Sequence, residues 1–433
     1  MPKIGCRFAA SLVLLLTFAS GVVAQELPRA VPEKVGLSSA RLERLTSALT
    51  EYVEAGQLPG AVALVVRRGR VVYLEAFGQR DREAAAPQQV DDIFRIASQS
   101  KAIISVAIMM LQEEGQLLIS DRLSRYLPEF AETTVAVANE EGGYDVVPAD
   151  RAVRLRDLLT HTSGIGYGGG AGEERWAEAG IQGWYFADRD EPIVETVTRM
   201  AALPFEAQPG ERFVYGYSTD ILGAVVEVAS GLPLDEFLQT RIFGPLGMVD
   251  THFYLPAGKH ERLSVVYSAS DDGLAPAPDP GGMVGQGAYV RGPRKSYSGG
   301  AGLLSTAQDY ARFLQMTLNG GELDSVRILS RKSIELMTVN HVGDLLDAVA
   351  PGTGFGLGFQ VVDDIGGRGT LGSVGEYGWG GAYHSTYWVD PAEEVVVVYF
   401  AQLIPANGLD DHAKLRALIY QAIIDDGGLN RRP

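Results

Sequence analysis

The stretch "FRIASQSKAIISVAIMMLQEEGQL", residues 94–117, sets a lysine at the head of an apolar run. From Ala102 to Leu111 the apolar residues leave no polar stripe, which predicts a helix buried on all sides. An ammonium in such a helix is costly to bury unless a neighbour needs it. Ser98 lies three residues before Lys101, one turn back on the same face, whereas Ser100 is adjacent and points elsewhere. Serine also caps helices, so this window by itself leaves capping and catalysis both open.

The use of basic residues sharpens the question. Seven of the 37 basic residues are lysines (3, 34, 101, 259, 295, 332 and 414), and of these Lys101 alone has a serine three positions before it. Arginine stays protonated and is no base, while a desolvated lysine can give up its proton. A serine hydroxyl needs such a neighbour to become a nucleophile, commonly with a third proton-transferring group.

Composition bounds the rest. An apolar fraction of 46% in 433 residues supports a large core. Lys3 and Arg7, the apolar stretch Phe8 to Phe18, and the small residues before Gln25 read as a signal peptide over 1–24, with 25–433 as one mature domain. The apolar stretch falls short of the roughly 20 residues a membrane span needs, and no later segment is long enough. A periplasmic or secreted protein is therefore expected. Its sole cysteine, Cys6, lies in the leader, so the mature chain uses neither disulfides nor thiol chemistry. Without Lys3 and Arg7 the formal charge of −17 becomes −19, which opposes binding to nucleic acid.

Along the chain, "SSARLERLTSALTEYVEAG" predicts a helix capped by Ser38 or Ser39 and stopped at Gly56. "GAVALVV" and "RVVYLEAFG" predict strands joined by a hairpin at Arg68-Gly69. From about 120 to 295 helices alternate with long Gly/Pro-rich loops, "GYGGGAGEE" and "DDGLAPAPDPGGMVGQG", of a kind that often borders a binding site. "STAQDYARFLQMTLNGG" predicts a further helix. "GLGFQVV", "GAYHSTYWVD" and "EEVVVVYFAQ" predict strands, and a last helix runs from about 410 to 424. The expected fold is mixed α/β. One sheet is assembled from both chain ends (about 30–115 and 300–433) and flanked by helices, with a mostly helical region inserted at about 116–299.

Six segments, "FRIASQSKA", "LLTHTSGI", "PGERFVYGYSTDILG", "PLGMVDTHF", "SGGAGLLSTAQDYARF" and "GWGGAYHSTYWVDP", occur in an order that resembles the serine-active β-lactamase and penicillin-binding-protein superfamily. The resemblance is to its class C-like branch, which includes the family VIII carboxylesterases. It implies an antiparallel β-lactamase/DD-peptidase-like sheet. It also implies Ser98 as the acylated nucleophile, Lys101 as its activator and Tyr215 as the proton-shuttling tyrosine. Tyr217 is the competitor, disfavoured by its spacing to Leu222-Gly223. The oxyanion hole is expected from the backbone N–H groups of Ser98 and Ala382. Trp379, Gly380 and Gly381 stand where β-lactamases carry Lys-Thr-Gly and resemble the esterase members. Without the lysine that steadies a substrate carboxylate, neutral esters are favoured.

Other residues are read more plainly. His161 tempts a Ser-His reading, yet no GxSxG elbow exists, and packing or turn hydrogen bonding is preferred. The six histidines show neither HxxxH nor HxH spacing, so no metal or other cofactor is expected. His384, just past Ala382, either faces the cleft or simply occupies a strand. The expected function is an acyl-enzyme hydrolase for small-molecule esters or amides. It is foremost a carboxylesterase on short-acyl neutral esters with weak β-lactam hydrolysis. The alternatives are a β-lactamase or D-amino-acid peptidase, and, from another class, a non-catalytic binding or scaffold protein.

Overall fold

The computed structural model describes residues 26–406 and 408–425, so the expected leader lies outside the described residues. Helix α1 (Ser39–Glu54) opens with the Ser38 hydroxyl accepting from the Arg41 N–H, which satisfies one of the free donors of its first turn. Strands β1 (Gly60–Arg67) and β2 (Arg70–Asp81) follow. Arg68 and Gly69 between them both have positive φ, the backbone of a tight two-residue hairpin turn. The two-residue strand β3 is Ala86–Pro87 and helix α2 is Ser100–Glu113. After the inserted region come helix α4 (Ala307–Leu318), strands β4 (Thr353–Phe355), β5 (Gln360–Val362), β6 (Tyr377–Gly381), β7 (Ser385–Asp390) and β8 (Val395–Ala401), and helix α5 (Asp411–Tyr420). Within the insertion, helix α3 is Ser218–Ser230.

The eight strands form one antiparallel sheet in the order β4-β5-β6-β7-β8-β1-β2-β3, closed by β1 of the first part against β8 of the last. Alternation along a strand sends successive side chains to opposite faces. Ala61, Ala63, Val65, Val395 and Val397 pack with Leu45, Leu49, Leu415 and Ile419 of α1 and α5. Val62, Leu64, Val66, Val396 and Val398 belong to the larger core on the other face, which contains all the apolar residues of α2. Because both faces are covered, β1 is buried from end to end.

Three expectations shift. The inserted region also holds two hairpins, Thr134–Ala138 with Tyr144–Pro148 and Tyr267–Ser270 with Gly273–Pro276. "GLGFQVV" becomes strand only from Gln360, since Gly358 turns the chain at φ +90. "GAYHSTYWVD" is not one strand but a hairpin turn at 382–384 followed by β7. No helix among the described residues is long and apolar enough to cross a membrane.

Candidate active site

Ser98 sits in a short 3-10 turn, Ala97–Gln99, that runs directly into α2. The turn is forced: Ala97, fully buried, has φ +43, a left-handed conformation that costs an L-residue roughly 1–2 kcal/mol. One turn on, the buried Lys101 Nζ donates to Ser98 Oγ at 3.3 Å, to Tyr167 OH at 3.1 Å and to the Gly300 carbonyl at 2.7 Å. It also lies 4.7 Å from the centre of the Tyr215 ring, close enough for a cation–π contact. The α2 ammonium is thus satisfied by groups from three distant segments.

Tyr215 precedes α3, and its hydroxyl oxygen accepts from Trp379 Nε1 at 3.0 Å. Tyr217 turns the other way. It is fully buried against Trp176 and Phe186, and its hydroxyl donates only a long 3.4 Å bond to the Tyr167 carbonyl. His161, also buried, packs its ring 4.7 Å from that of Tyr215 and has φ +55. Burial, with the charge of Lys101 added, pushes this imidazole well below its ordinary value, so it is neutral packing under the tyrosine.

Strand β6 brings Trp379, Gly380, Gly381 and then Ala382 to the same place. A Cβ on Gly381 would fall 2.6 Å from the Ile96 carbonyl, so only glycine lets this strand end lie against the nucleophile's turn. Ser98, Tyr167, Tyr215, Trp379 and Ala382 all line one cavity of about 660 Å³. Farther along β6 the same cavity is lined by Arg368, Glu376 and Arg416, with both guanidiniums 2.7 Å from the Glu376 carboxylate.

Two members of this constellation escape sequence reasoning. Tyr167 comes from the glycine-rich loop "GYGGGAGEE". Burial pushes it well above the ordinary tyrosine value, and Tyr215 and Asp220 add to the effect, so it sits beside Lys101 as a neutral phenol. Asp220 lies, buried, in the first turn of α3. Its Oδ1 accepts from Ser298 Oγ at 2.5 Å and from the Gly300 N–H at 3.0 Å. That grip aims the Gly300 carbonyl at Lys101, and a Cβ on Gly300 would meet Asp220 Oδ2 at 2.3 Å. Burial raises the Asp220 carboxyl while the Lys101 charge pulls against it. An acid directly ahead of the apolar run "ILGAVV" (221–226) is the signal that could have found it, since a buried charge demands a partner. Of the two long loops, "DDGLAPAPDPGGMVGQG" contributes nothing to the cavity wall.

The spacing argument against clustered histidines also meets a tertiary fact: His384 and His412, 28 positions apart, stack at 4.2 Å beside Asp411. These three hold ligand-type atoms within 4.8 Å of one another, although Asp411 already accepts from His384 and Tyr399.

A family model described as Beta-lactamase matches residues 45–421. Esterase EstB of Burkholderia gladioli is 33% identical over 83% of this chain and 90% of its own length. The lovastatin esterase of Penicillium rubens is 31% identical over 82% of this chain and 92% of its own. Among solved structures, EstCE1, a hydrolase with promiscuous acyltransferase activity, superposes with a TM-score of 0.76 at 27% identity, covering 88% of this chain and 99% of that one.

Proposed function

We propose, from the premise that this chain belongs to the beta-lactamase family and is a serine hydrolase, that it acylates Ser98 and hydrolyses the resulting ester, acting as a carboxylesterase on short-acyl neutral esters. The observation that carries the reading is Lys101 Nζ, 3.3 Å from Ser98 Oγ in a buried setting. Lys101 takes the serine proton while Oγ attacks the acyl carbon. Tyr215 and Tyr167, both beside the amine, pass that proton to the departing alcohol. The backbone N–H groups of Ser98 and Ala382 are the proposed donors to the carbonyl oxygen as it gains charge. The proposal includes export, with residues 1–24 as the leader.

Tyr215→Phe is expected to lower kcat by roughly 10²–10⁴, the usual worth of a proton-transferring group. Tyr217→Phe loses only a long hydrogen bond in the core and is expected to keep nearly full activity, with a stability cost of about 1 kcal/mol or less. An inactive Tyr217→Phe enzyme with an active Tyr215→Phe counterpart would place the relay two residues away from this assignment.

The neutral-ester reading draws on Trp379, whose indole N–H is engaged by Tyr215 and whose ring offers a flat apolar wall. A penicillin carboxylate there lacks a charge-assisted contact of about 1.5–3 kcal/mol, roughly one to two orders of magnitude in specificity. Arg368 and Arg416 favour the second reading, turnover of an anionic β-lactam or D-amino-acid peptide, but their charge is partly met by Glu376. The comparison is kcat/KM for a short-chain p-nitrophenyl ester against a chromogenic cephalosporin, corrected for intrinsic reactivity. The ester is expected to win, and preference for the cephalosporin hands the site to the second reading.

A further inference from the structure

His384 occupies the turn between β6 and β7, two residues beyond Ala382, and lines the cavity that contains Ser98. Its backbone is left-handed, φ +62, and such strain in a non-glycine residue survives only where the surroundings impose it, often at functional sites. The surroundings are specific. The His384 Nε2 nitrogen lies 2.7 Å from Oδ1 of Asp411, a fully buried carboxylate at the head of α5. Tyr399 donates to the other carboxylate oxygen at 2.7 Å, and His412 stacks on the imidazole with its plane within 19°. Next to His384, Tyr383 packs in one cluster with Ala97, so the turn rests on the nucleophile's own turn.

Burial raises the Asp411 carboxyl, but the hydrogen bonds from His384 and Tyr399 and the neighbouring imidazoles outweigh it and hold the group below the ordinary carboxylate range. An ionised carboxylate only accepts, so the proton in the short bond belongs to His384 Nε2. The opposite ring nitrogen, Nδ1, has no hydrogen-bond partner among the described residues, and in the neutral imidazole it is the nitrogen that carries the lone pair. Asp411 has little structural need of this histidine, because the His412 N–H also donates to Oδ1 at 2.9 Å and Tyr399 serves Oδ2. A strained, carboxylate-oriented imidazole with one unpartnered ring nitrogen, in the wall of the cavity that contains Ser98, is an arrangement for removing a proton.

We propose that His384, oriented by Asp411, is the base of the second half-reaction, acting on the water or alcohol that receives the acyl group. This rests on the acyl-enzyme reading above. The acceptor O–H gives its proton to His384 Nδ1 as its oxygen forms a bond to the acyl carbon, and the carbonyl π pair moves onto the carbonyl oxygen. When that pair returns, the carbon–Oγ bond breaks and Oγ takes a proton from the Lys101 relay. The relay regains a proton from solvent as His384 releases the one it took. Acid or ester leaves, and free Ser98 is restored. Lys101 thereby governs acylation and His384 governs release.

His384→Gly tests this, since glycine adopts φ +62 without a Cβ penalty and leaves a hole the size of an imidazole. With p-nitrophenyl acetate, native and variant enzymes are expected to form the Ser98 adduct at rates within about threefold of each other. Steady-state turnover of the variant is expected to fall about 10²-fold or more as the acyl-enzyme accumulates. Added imidazole is expected to restore release without altering adduct formation. His384→Asn, which tolerates positive φ but fills the hole, is expected to repeat the loss without the recovery. Normal release by either variant, loss of adduct formation together with turnover, or no recovery with imidazole each overturns the role. A native enzyme that forms no adduct at Ser98 sinks the acyl-enzyme reading itself and this inference with it.

Discussion

Ser98→Ala is expected to abolish turnover, a loss on the order of 10⁶ where a nucleophile is the sole route to a covalent intermediate, and to abolish labelling by an activated ester. The physical case is that the substitution removes one oxygen and little else. Ser98 Oγ accepts a single hydrogen bond, from Lys101, and Lys101 keeps Tyr167 and the Gly300 carbonyl when it is gone. The strained turn is set by Ala97 and its packing, which the change leaves in place. Melting temperature is therefore expected to stay close to native while chemistry disappears. Ser100→Ala is the control with the opposite pattern. The Ser100 hydroxyl accepts from the Leu303 N–H at 3.1 Å in a fully buried position, so its loss costs stability, about 1–3 kcal/mol, and leaves labelling intact. Intact-protein mass after exposure to the ester, with thermal melts on the same samples, separates the two. An acyl adduct on the Ser98→Ala protein would falsify the assignment.

Lys101→Arg carries the next largest effect, an expected loss of roughly 10²–10⁴ in kcat/KM, and more if the relay acts as a unit. Arginine keeps the positive charge that faces Asp220 and can still donate to the Gly300 carbonyl, so electrostatic support of the site survives. It does not supply a base, because the guanidinium holds its proton at any working pH. Lys101→Met is the complementary variant. It approximates the volume but leaves Asp220 without its counter-charge and the Gly300 carbonyl without its donor, so it is expected to lose activity and also to melt lower. Comparing the rate of adduct formation with melting temperature across the two variants distinguishes proton acceptor from fixed charge. A Lys101→Arg enzyme that acylates at near-native rate overturns the proton-acceptor role.

What was legible in the sequence follows the range of the interactions involved. The geometry of Ser98 and Lys101 is covalent and local: three residues make about one turn, and the helix head carries both side chains to one side. The β1–β2 hairpin was equally local, declared by two short β runs and the Arg68-Gly69 junction between them. The turn at 382–384 was not, because "GAYHSTYWVD" holds no Gly, Pro or Asn after its first residue, and His384 adopts a backbone that only its neighbours impose. The hairpin corner puts His384 in the cavity wall, the first of the two readings its sequence position left open.

Composition and spacing by themselves determined that this chain builds a large core, that its Lys101 helix is buried almost all round, and that one serine stands a turn from one unusual lysine. Those properties depend on periodicity and on contacts a few residues apart, which the chain carries wherever it is placed. Only the tertiary structure decided what surrounds that pair: Tyr167 from 66 residues away on Lys101, Trp379 from 164 residues away on Tyr215, and Asp411 from 27 residues away on His384. The closure of the sheet between β1 and β8 joins the two chain ends, and the end of β6 lies against the turn that carries Ser98. The entropy cost of bringing distant segments together grows only slowly with their separation, so the intervening sequence hardly constrains which of them meet. Packing over the whole core selects the partners, and local pattern carries no record of that selection.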